Sequence, residues 1–437
     1  MSTAATTSDQ TGNNGSISFP AFLPAKRYAG FVDVPEYKME GQPALEDWNS
    51  TKILVPRSED SCSQFPDFEN MHGRMPGPTR LQRTITMNGN IVVLEPDGPS
   101  SQAFWLQRKV GQSSLGIVRV AYKLRRSPNT STDNNTNNNS SRAWQLDINE
   151  EGRPSLVAIS MINRTTIVEG AIDGDVLARE RVWNELEGLQ RIAKYGTPEE
   201  THVVGTSLVG ACSSFIYIVL PYCPDGSLLQ YCQSKGSLKE PVARFLFQQI
   251  LQGLKTLQAV RLCHRNLSMD AICLHGDLAV INHLDWCLPL EDGSEGTESS
   301  TSNSSRSESR NIPVGTYPQF LAPEYFGRDS DVRDGFAVDL WATGLMLYGM
   351  VVSYDALFAA PVEEDKIFQE LCVKGRIKDM TDQYAESVKK EIVLSEELVD
   401  LLSNMLQVDT QKRFSLDEVL QHPWVKNDNV IAPSLDE

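Results

Sequence analysis

The sequence lacks the features that would place it in several common functional classes. Its eight cysteines form no C-x-x-C pair, and none stands with a histidine at the spacing of zinc ligands. No apolar leader begins the chain, and its longest apolar run, residues 340–352, is too short to span a bilayer. We therefore expect reduced thiols in a cytoplasmic or nuclear protein without a membrane span, and we interpret 340–352 as a buried core helix.

Basic residues are scarce relative to acidic ones. The 437 residues include 40 Lys and Arg against 57 Asp and Glu, which gives a net charge of −17. Nucleic acid and anionic membrane surfaces bind to positive patches, so we expect neither as a partner. The charge suits a basic or polar protein partner, whereas the oligomeric state has no signature in the sequence.

The chain divides into a long irregular extension and an ordered region. Residues 1–100 are rich in Pro, Gly, Ser and acidic residues, and we expect them to be irregular and partly disordered, apart from a hairpin over 84–94. Its turn would be Asn88-Gly89-Asn90. Two polar low-complexity segments, 127–141 and 291–310, cannot bury enough apolar surface to fold and predict mobile loops.

The ordered region changes from strand-like to helical patterns. Residues 104–124, 156–162 and 215–220 have the patterns of strands, and 174–194 has helical periodicity. From Pro241 onward the chain is mainly helical. Strands followed by helices favour an α+β protein with two lobes over alternating βαβ units.

The most informative stretch is His264-Arg265-Asn266-Leu267-Ser268-Met269-Asp270-Ala271. It resembles the H-R-D…N catalytic loop of protein kinases. Asn266 stands where the family has its catalytic Asp, and Ala271 stands where it has a metal-binding Asn. The resemblance therefore implies a kinase scaffold that has lost the chemistry of this loop.

Two earlier segments resemble the parts of a kinase that hold nucleotide phosphates. Gly111, Gly116 and Val118 match the G-x-G-x-x-G-x-V loop that covers ATP, with Ser113 in place of the middle glycine. Val157-Ala-Ile-Ser160 matches the V-A-I-K strand, with Ser160 in place of the lysine that binds the α- and β-phosphates.

The helix and hinge of the first lobe resemble the family as well. Glu185 has the place of the helix glutamate that pairs with the missing lysine, although a solvated helix glutamate is an equal interpretation. In the segment 218–223, Leu220 has the gatekeeper place and Cys223 belongs to the hinge, both beside the nucleotide.

The metal-binding D-F-G motif has two possible matches. Leu284-Asp285-Trp286-Cys287-Leu288 is preferred because its flanking leucines fit, and it makes Asp285 a metal ligand. The alternative, Asn282-His283-Leu284, fits the phasing of the preceding strand and leaves no carboxylate at this position.

The last marks are structural in active kinases too. Gly315-Thr316 and Leu321-Ala-Pro-Glu324 resemble the end of an activation segment, and Asp339 belongs to a D-x-W-x-x-G helix whose Asp fixes the catalytic loop. Arg413 lies in a D-x-x-x-R motif and is expected to pair with Glu324. Ten such marks occur in order between about residues 104 and 426.

The resemblance implies a bilobal protein-kinase-like fold over 101–426, with insertions at 127–150 and 291–310 and a tail at 427–437. Since Ser160, Asn266 and Ala271 remove the phosphate anchor, the base and one metal ligand, we expect a pseudokinase that binds ATP and Mg²⁺ weakly or not at all and acts as a signalling scaffold or allosteric regulator.

Two alternatives stay open for the function. One is a divergent active Ser/Thr kinase in which Lys109 or Lys123 replaces the missing cation. The other is an inactive switch that still binds nucleotide. A regulatory prediction concerns Arg265, because in regulated kinases this arginine pairs with a phosphorylated activation segment. The serines at 304–309 would supply the phosphate, unless Arg265 only packs the catalytic loop.

Overall fold

The structure is a computed structural model, and it describes a defined part of the chain. The described residues are 53–55, 82–87, 91–94, 101–112, 115–126, 142–150, 152–163, 178–206, 208–212, 214–289, 317–326 and 334–434. The predicted loops 127–141 and 291–310, the turn Asn88-Gly89-Asn90 and Ser113 lie outside them.

One large sheet forms the first lobe. Its nine described strands are β1 (Ile53–Val55), β2 (Gln82–Met87), β3 (Ile91–Leu94), β4 (Gln102–Gln112), β5 (Gly116–Arg126), β6 (Arg142–Leu146), β7 (Leu156–Asn163), β8 (Val209–Ala211) and β9 (Phe215–Pro221). Their order is β1-β6-β5-β4-β3-β2-β8-β9-β7, and β5 also pairs with β7. This last pairing closes a ring of seven strands, and β7 is therefore not an edge strand of the described sheet.

The predicted hairpin over 84–94 exists and belongs to this ring. β2 and β3 are antiparallel, with Thr84 opposite Leu94 and Met87 opposite Ile91. β3 then pairs with β4, and β2 pairs in parallel with β8. The sheet therefore includes strands that precede residue 101, so the predicted boundary between an irregular extension and the domain at residue 101 is wrong. β6 likewise joins the sheet from within the predicted insertion 127–150.

The two faces of the ring have different neighbours. One face encloses a core of its own, made of Val92, Leu94, Phe104, Leu106, Ala121, Ile159, Met161, Tyr217 and Val219. Side chains alternate along a strand, so Ala158, Ser160 and Ile162 of β7 lie on the opposite face. Ala158 and Ile162 pack in the larger core that also contains Leu186 and Leu189. Ser160 is thus on the face of the sheet that meets the first helix.

Helices make up most of the second lobe. The described α-helices are α1 (Ala178–Tyr195), α2 (Pro198–Thr201), α3 (Leu228–Lys235), α4 (Glu240–Ala259), α5 (Gly335–Val351), α6 (Lys366–Phe368), α7 (Ile377–Val388), α8 (Glu396–Met405), α9 (Leu416–Gln421) and α10 (Pro423–Lys426). Two short antiparallel strand pairs follow α4. They are β10 (Leu262–Cys263) with β13 (Leu288–Pro289) and β11 (Ile272–His275) with β12 (Leu278–Ile281).

Helix α5 is the centre of the second lobe. Asp334 caps its start by accepting hydrogen bonds from the N–H groups of Phe336 and Ala337, and nearly all its residues are buried. The prediction of a buried core helix in this region is confirmed. Among the described helices none is long and apolar enough to cross a membrane. The predicted α+β architecture, a β-rich lobe followed by a helical lobe, is also confirmed.

Candidate functional site

The loop after β10 is held in shape by one buried carboxylate. Asp339 of α5 accepts hydrogen bonds from the backbone N–H groups of His264 and Arg265, each at 2.7 Å. This is the contact that the sequence resemblance assigned to Asp339, and it is confirmed. Two N–H bonds to one carboxylate fix the start of the loop whether or not the loop is catalytic.

His264 has a neutral ring, and this ring holds the backbone of Asn266, two residues later in the loop. Burial lowers the pKa of His264 to about 4. Its Nε2 lies 2.8 Å from the carbonyl oxygen of Asn282, which can only accept, so Nε2 carries the hydrogen. Nδ1 is then the acceptor for the backbone N–H of Asn266 at 3.3 Å. His264 therefore fixes the backbone at Asn266, whose side chain is an amide and cannot take up a proton.

Ala271 has the place that the sequence resemblance assigns to a metal ligand. It ends the 3₁₀ turn Met269–Ala271 and is buried, and its carbonyl accepts the N–H of Asn282 at 2.8 Å. The loop thus brings position 271 beside the end of β12. A methyl group offers no oxygen to a cation, so this position contributes nothing to a metal site.

Ser160 lies in the middle of β7, between Val118 of β5 and Ile218 of β9. It is buried, on the same face as Ala158, which pairs with the buried Leu220. The sequence resemblance gives this position to a phosphate-binding lysine, but the serine side chain is short and uncharged. The side chain at this strand position therefore supplies no positive charge.

The two glycines of the predicted phosphate loop have different environments. Gly111 pairs with Val118 across the β4–β5 hairpin, and an added Cβ there would lie an ordinary 3.6 Å from Val118. Gly116 lies against β7, and an added Cβ would be 2.1 Å from the carbonyl oxygen of Met161. Packing of the sheet therefore explains Gly116 without any nucleotide.

Glu185 lies on α1 in a cluster of charged side chains. Its pKa is raised to about 7, mainly by burial and also by the charge of Asp285, whereas His283 and Arg181 act in the opposite direction. The predicted lysine partner is absent at position 160. Glu185 is therefore neither a solvated helix residue nor a member of the usual lysine pair.

Asp285 is bound to an arginine of α1. Nε of Arg181 donates to Oδ2 of Asp285 at 3.1 Å, and Nη2 of Arg181 also bonds this oxygen. The guanidinium stacks on the ring of Trp286, with its Cζ 4.9 Å from the ring centroid. Both side chains are largely buried, with 7% and 16% of their surfaces exposed. The carboxylate that was predicted to bind metal is thus already engaged.

The alternative match, Asn282-His283-Leu284, places Asn282 at the metal position. Asn282 follows β12 directly, and the next residue, His283, has φ of +63° before the chain forms the turn Leu284–Trp286. If Asn282 stands at the metal position, that position has an amide and no carboxylate. If Asp285 stands there, its carboxylate is paired with Arg181. Under either assignment this position of the motif has no carboxylate that is free of a charged partner.

The hinge residue Cys223 contacts a second cysteine. Its thiol hydrogen-bonds the sulfur of Cys273 on β11, which raises the pKa of Cys223 and lowers the pKa of Cys273 to about 7. The side-chain amide of Asn282 also points at Cys273 Sγ, at 3.5 Å. Both thiols are buried. The sequence pattern identified only the first of these two residues as part of the site.

Arg265 and Arg413 both make buried contacts. Nε of Arg265 donates to the hydroxyl of Tyr325 at 3.4 Å, next to the loop that Asp339 holds. Arg413 binds both carboxylate oxygens of Glu324, at 2.8 and 3.0 Å, as predicted. The serines at 304–309 lie outside the described residues, so the phosphate-docking role of Arg265 stays a prediction.

Sequence reasoning missed Arg181 and Cys273. The available signal for Arg181 was its position one helical turn before Glu185, which places both on one face of α1. Across the described parts of the chain, no three His, Cys, Asp or Glu side chains come together as a metal site would require.

Comparison with known proteins identifies the fold that carries this site. Residues 148–425, more than half of the chain, match the model of the protein kinase domain. The chain is 31% identical over 228 residues to serine/threonine-protein kinase SRK2E of Arabidopsis thaliana, covering 50% of this chain and 57% of that protein.

Two further relatives show the same pattern. Over 242 residues the chain is 29% identical to serine/threonine-protein kinase SAPK2 of Oryza sativa subsp. japonica, covering 54% of this chain and 64% of that protein. Over 253 residues it is 27% identical to maternal embryonic leucine zipper kinase of Danio rerio, covering 58% and 32%. Each match spans less than two thirds of the relative's own length.

Proposed function

The chain belongs to the protein kinase family, and we propose that it is a pseudokinase, a member with absent or strongly impaired phosphoryl transfer. It acts through protein contacts, as a scaffold or as an allosteric regulator of a protein partner. The observation that carries this proposal is the ion pair between Arg181 and Asp285, which engages the last carboxylate that a metal ion would need.

The substitutions at three other positions support the same conclusion. Phosphoryl transfer depends on a phosphate-binding cation, metal ligands and a group that orients the nucleophile. Ser160, Ala271 and Asn266 replace one member of each kind. Loss of one contact to the transition state typically lowers a rate by about 10²–10³. Several such losses leave turnover near background, even though the effects of grouped residues do not add.

The side chains present do not fit Mg²⁺ and ATP. Ala271 supplies no oxygen, Ser160 supplies no charge, and Asp285 is held by a guanidinium. Mg²⁺ prefers oxygen ligands, usually one or two carboxylates together with substrate phosphates. We therefore propose that nucleotide and metal bind weakly or not at all, and that the domain's activity does not depend on them.

The proposed partner is a protein with a basic or polar surface. The net charge of −17 favours association with positive surfaces and disfavours polyanions such as nucleic acid. The buried pairs Asp339 with the loop backbone and Arg413 with Glu324 keep the fold rigid without any catalytic role. A rigid fold with an impaired site is what a scaffold requires.

A divergent active kinase is the second candidate, and the names of the relatives favour it. All three relatives are named as kinases, and the backbone of the loop at Asn266 keeps a defined shape. The two lysines that were candidate replacements have other neighbours, however. Lys123 Nζ lies 3.5 Å from Asp147, and Lys109 Nζ bonds the side chain of Gln112.

A transfer assay separates the two candidates. The purified chain is incubated with γ-labelled ATP, Mg²⁺ and a generic basic protein, beside an Asp285→Ala variant. We expect equal, background incorporation for both proteins. A second variant combines Ser160→Lys, Asn266→Asp and Ala271→Asn, which restores the family residue at each position. Any phosphate transfer should rise in this variant if the scaffold is intact. Robust wild-type transfer that Asp285→Ala abolishes would contradict the proposal.

A further inference from the structure

The positive charge that links α1 to the rest of the domain lies on a different residue from the one in the family pattern. In the family pattern a lysine of β7 pairs with the glutamate of α1. Here position 160 is a serine, and the cation is Arg181, on α1 itself and one turn before Glu185. Its partner Asp285 lies 104 residues later, in the turn Leu284–Trp286. The ion pair therefore joins α1 to the segment after β12 instead of to the sheet.

Two further contacts join the same two elements. The thiol of Cys287 donates to the carbonyl of Asn184 at 3.1 Å. Gly188 lets the segment approach α1 closely, because an added Cβ would lie 2.9 Å from Cys287 Sγ and 3.3 Å from Leu284 Cδ1. The ion pair, the thiol hydrogen bond and the apolar contact all act between α1 and the segment 284–288.

We infer that Arg181 is a built-in counter-ion that keeps α1 docked on the segment 284–288 without nucleotide or metal, so that this domain is a constitutive regulator and not a nucleotide-gated switch. The inference rests on the proposed function, because a metal ion on Asp285 would compete with Arg181 for one carboxylate. A ligand shifts a conformational equilibrium only by its different affinities for the two states. Where an internal cation already holds the docked state, little is left for Mg²⁺ and ATP to shift.

Breaking the pair should release both elements together. Removing one partner of a buried ion pair leaves the other charge buried and uncompensated. We therefore expect Arg181→Gln to increase amide hydrogen exchange at least tenfold in both α1 and the segment 284–288. Arg181→Lys keeps the charge but loses the second donor nitrogen and the planar group that stacks on Trp286, so it should retain protection only in part.

Arg191→Gln is the matched control. It removes the same charge from the same helix, but Arg191 pairs with Glu187 one turn earlier in α1. Exchange in the segment 284–288 should therefore stay at the wild-type level in this variant. Exchange in α8 serves in all variants as the measure of global stability.

Hydrogen exchange of the full chain tests the inference, first without metal or nucleotide and then with Mg²⁺ and ATP. We expect the wild type to show the same protection of α1 in both conditions. Arg181→Gln should release α1 and the segment 284–288 while α8 stays protected. Unchanged exchange in Arg181→Gln, or strong wild-type protection only with Mg²⁺ and ATP, would overturn the inference.

The outcome is separable from that of the transfer assay. Docking of α1 that survives in a protein with robust phosphate transfer would overturn the proposed function and leave the role of Arg181 standing. An inactive protein in which Arg181→Gln changes no exchange would overturn the role of Arg181 alone.

Discussion

Glu324 and Arg413 form two parallel hydrogen bonds inside the helical lobe, between residues 89 positions apart. The distances are 2.8 and 3.0 Å, and the Arg413 side chain has no exposed surface. Its Nη1 also donates to the carbonyl of Ala337, and the guanidinium lies over the ring of Trp341. The pair joins the end of the activation-like segment to the last third of the helical lobe.

The first prediction concerns the stability that depends on this pair. Glu324→Gln should lower the free energy of unfolding by about 3–5 kcal/mol, because it leaves a buried arginine charge without compensation. Lys412→Ala is the control, since its pair with Asp409 is exposed and should be worth no more than about 0.5 kcal/mol. Denaturant titration of both variants measures the difference. Similar losses in the two would contradict the burial argument.

The second prediction separates the two glycines of the phosphate-loop motif. Gly116→Ala should destabilise the sheet by about 1–3 kcal/mol, because its Cβ would meet the carbonyl oxygen of Met161 at 2.1 Å. Gly111→Ala introduces only an ordinary contact with Val118 and should be nearly neutral. Thermal unfolding of the two variants is the measurement. If Gly111→Ala proved the more damaging, a requirement beyond sheet packing would act at that position.

The third prediction concerns pH and Glu185. Burial raises the pKa of Glu185 from 4.5 to about 7 in the folded chain. The folded state therefore holds this proton more tightly than the unfolded state, so stability falls as pH rises from about 4.5 to about 7. Glu185→Gln removes the effect. The variant should be more stable than the wild type at pH 8, by about 2 kcal/mol, and similar to it near pH 5.

A neighbouring glutamate provides the control for this experiment. Glu187 lies on the same helix, but its carboxylate pairs with Arg191. Glu187→Gln should therefore gain no stability at pH 8. Unfolding curves at pH 5 and pH 8 for the three proteins are sufficient. A Glu185→Gln variant that is less stable than the wild type at pH 8 would show that the ionised carboxylate is stabilising.

Local patterns predicted the elements but not the contacts between distant ones. The hairpin over 84–94 and the capped core helix α5 have signals within a few residues, and both are present. The parallel pairing of β2 with β8, which closes the ring, joins segments more than 120 residues apart and has no local signature. The strand order of the first lobe therefore could not be predicted from the sequence.

The site shows the same division. Ser160, Asn266 and Ala271 were identified because a motif fixes each position relative to its neighbours. The Arg181–Asp285 pair depends on how α1 meets the segment after β12, and no motif contains both residues. The sequence therefore revealed which family residues are substituted, whereas only the structure revealed that Arg181 pairs with Asp285.

Titration of the full chain with ATP tests the central claim most directly, by calorimetry in the presence of Mg²⁺ and again with EDTA. The claim is that Ser160, Ala271 and the Arg181–Asp285 pair leave no site for the metal-bound nucleotide. We expect no saturable heat below millimolar ATP in either condition, and no nucleotide-dependent rise in the melting temperature. Saturable micromolar binding that requires Mg²⁺ and is lost in Asp285→Ala would contradict the account.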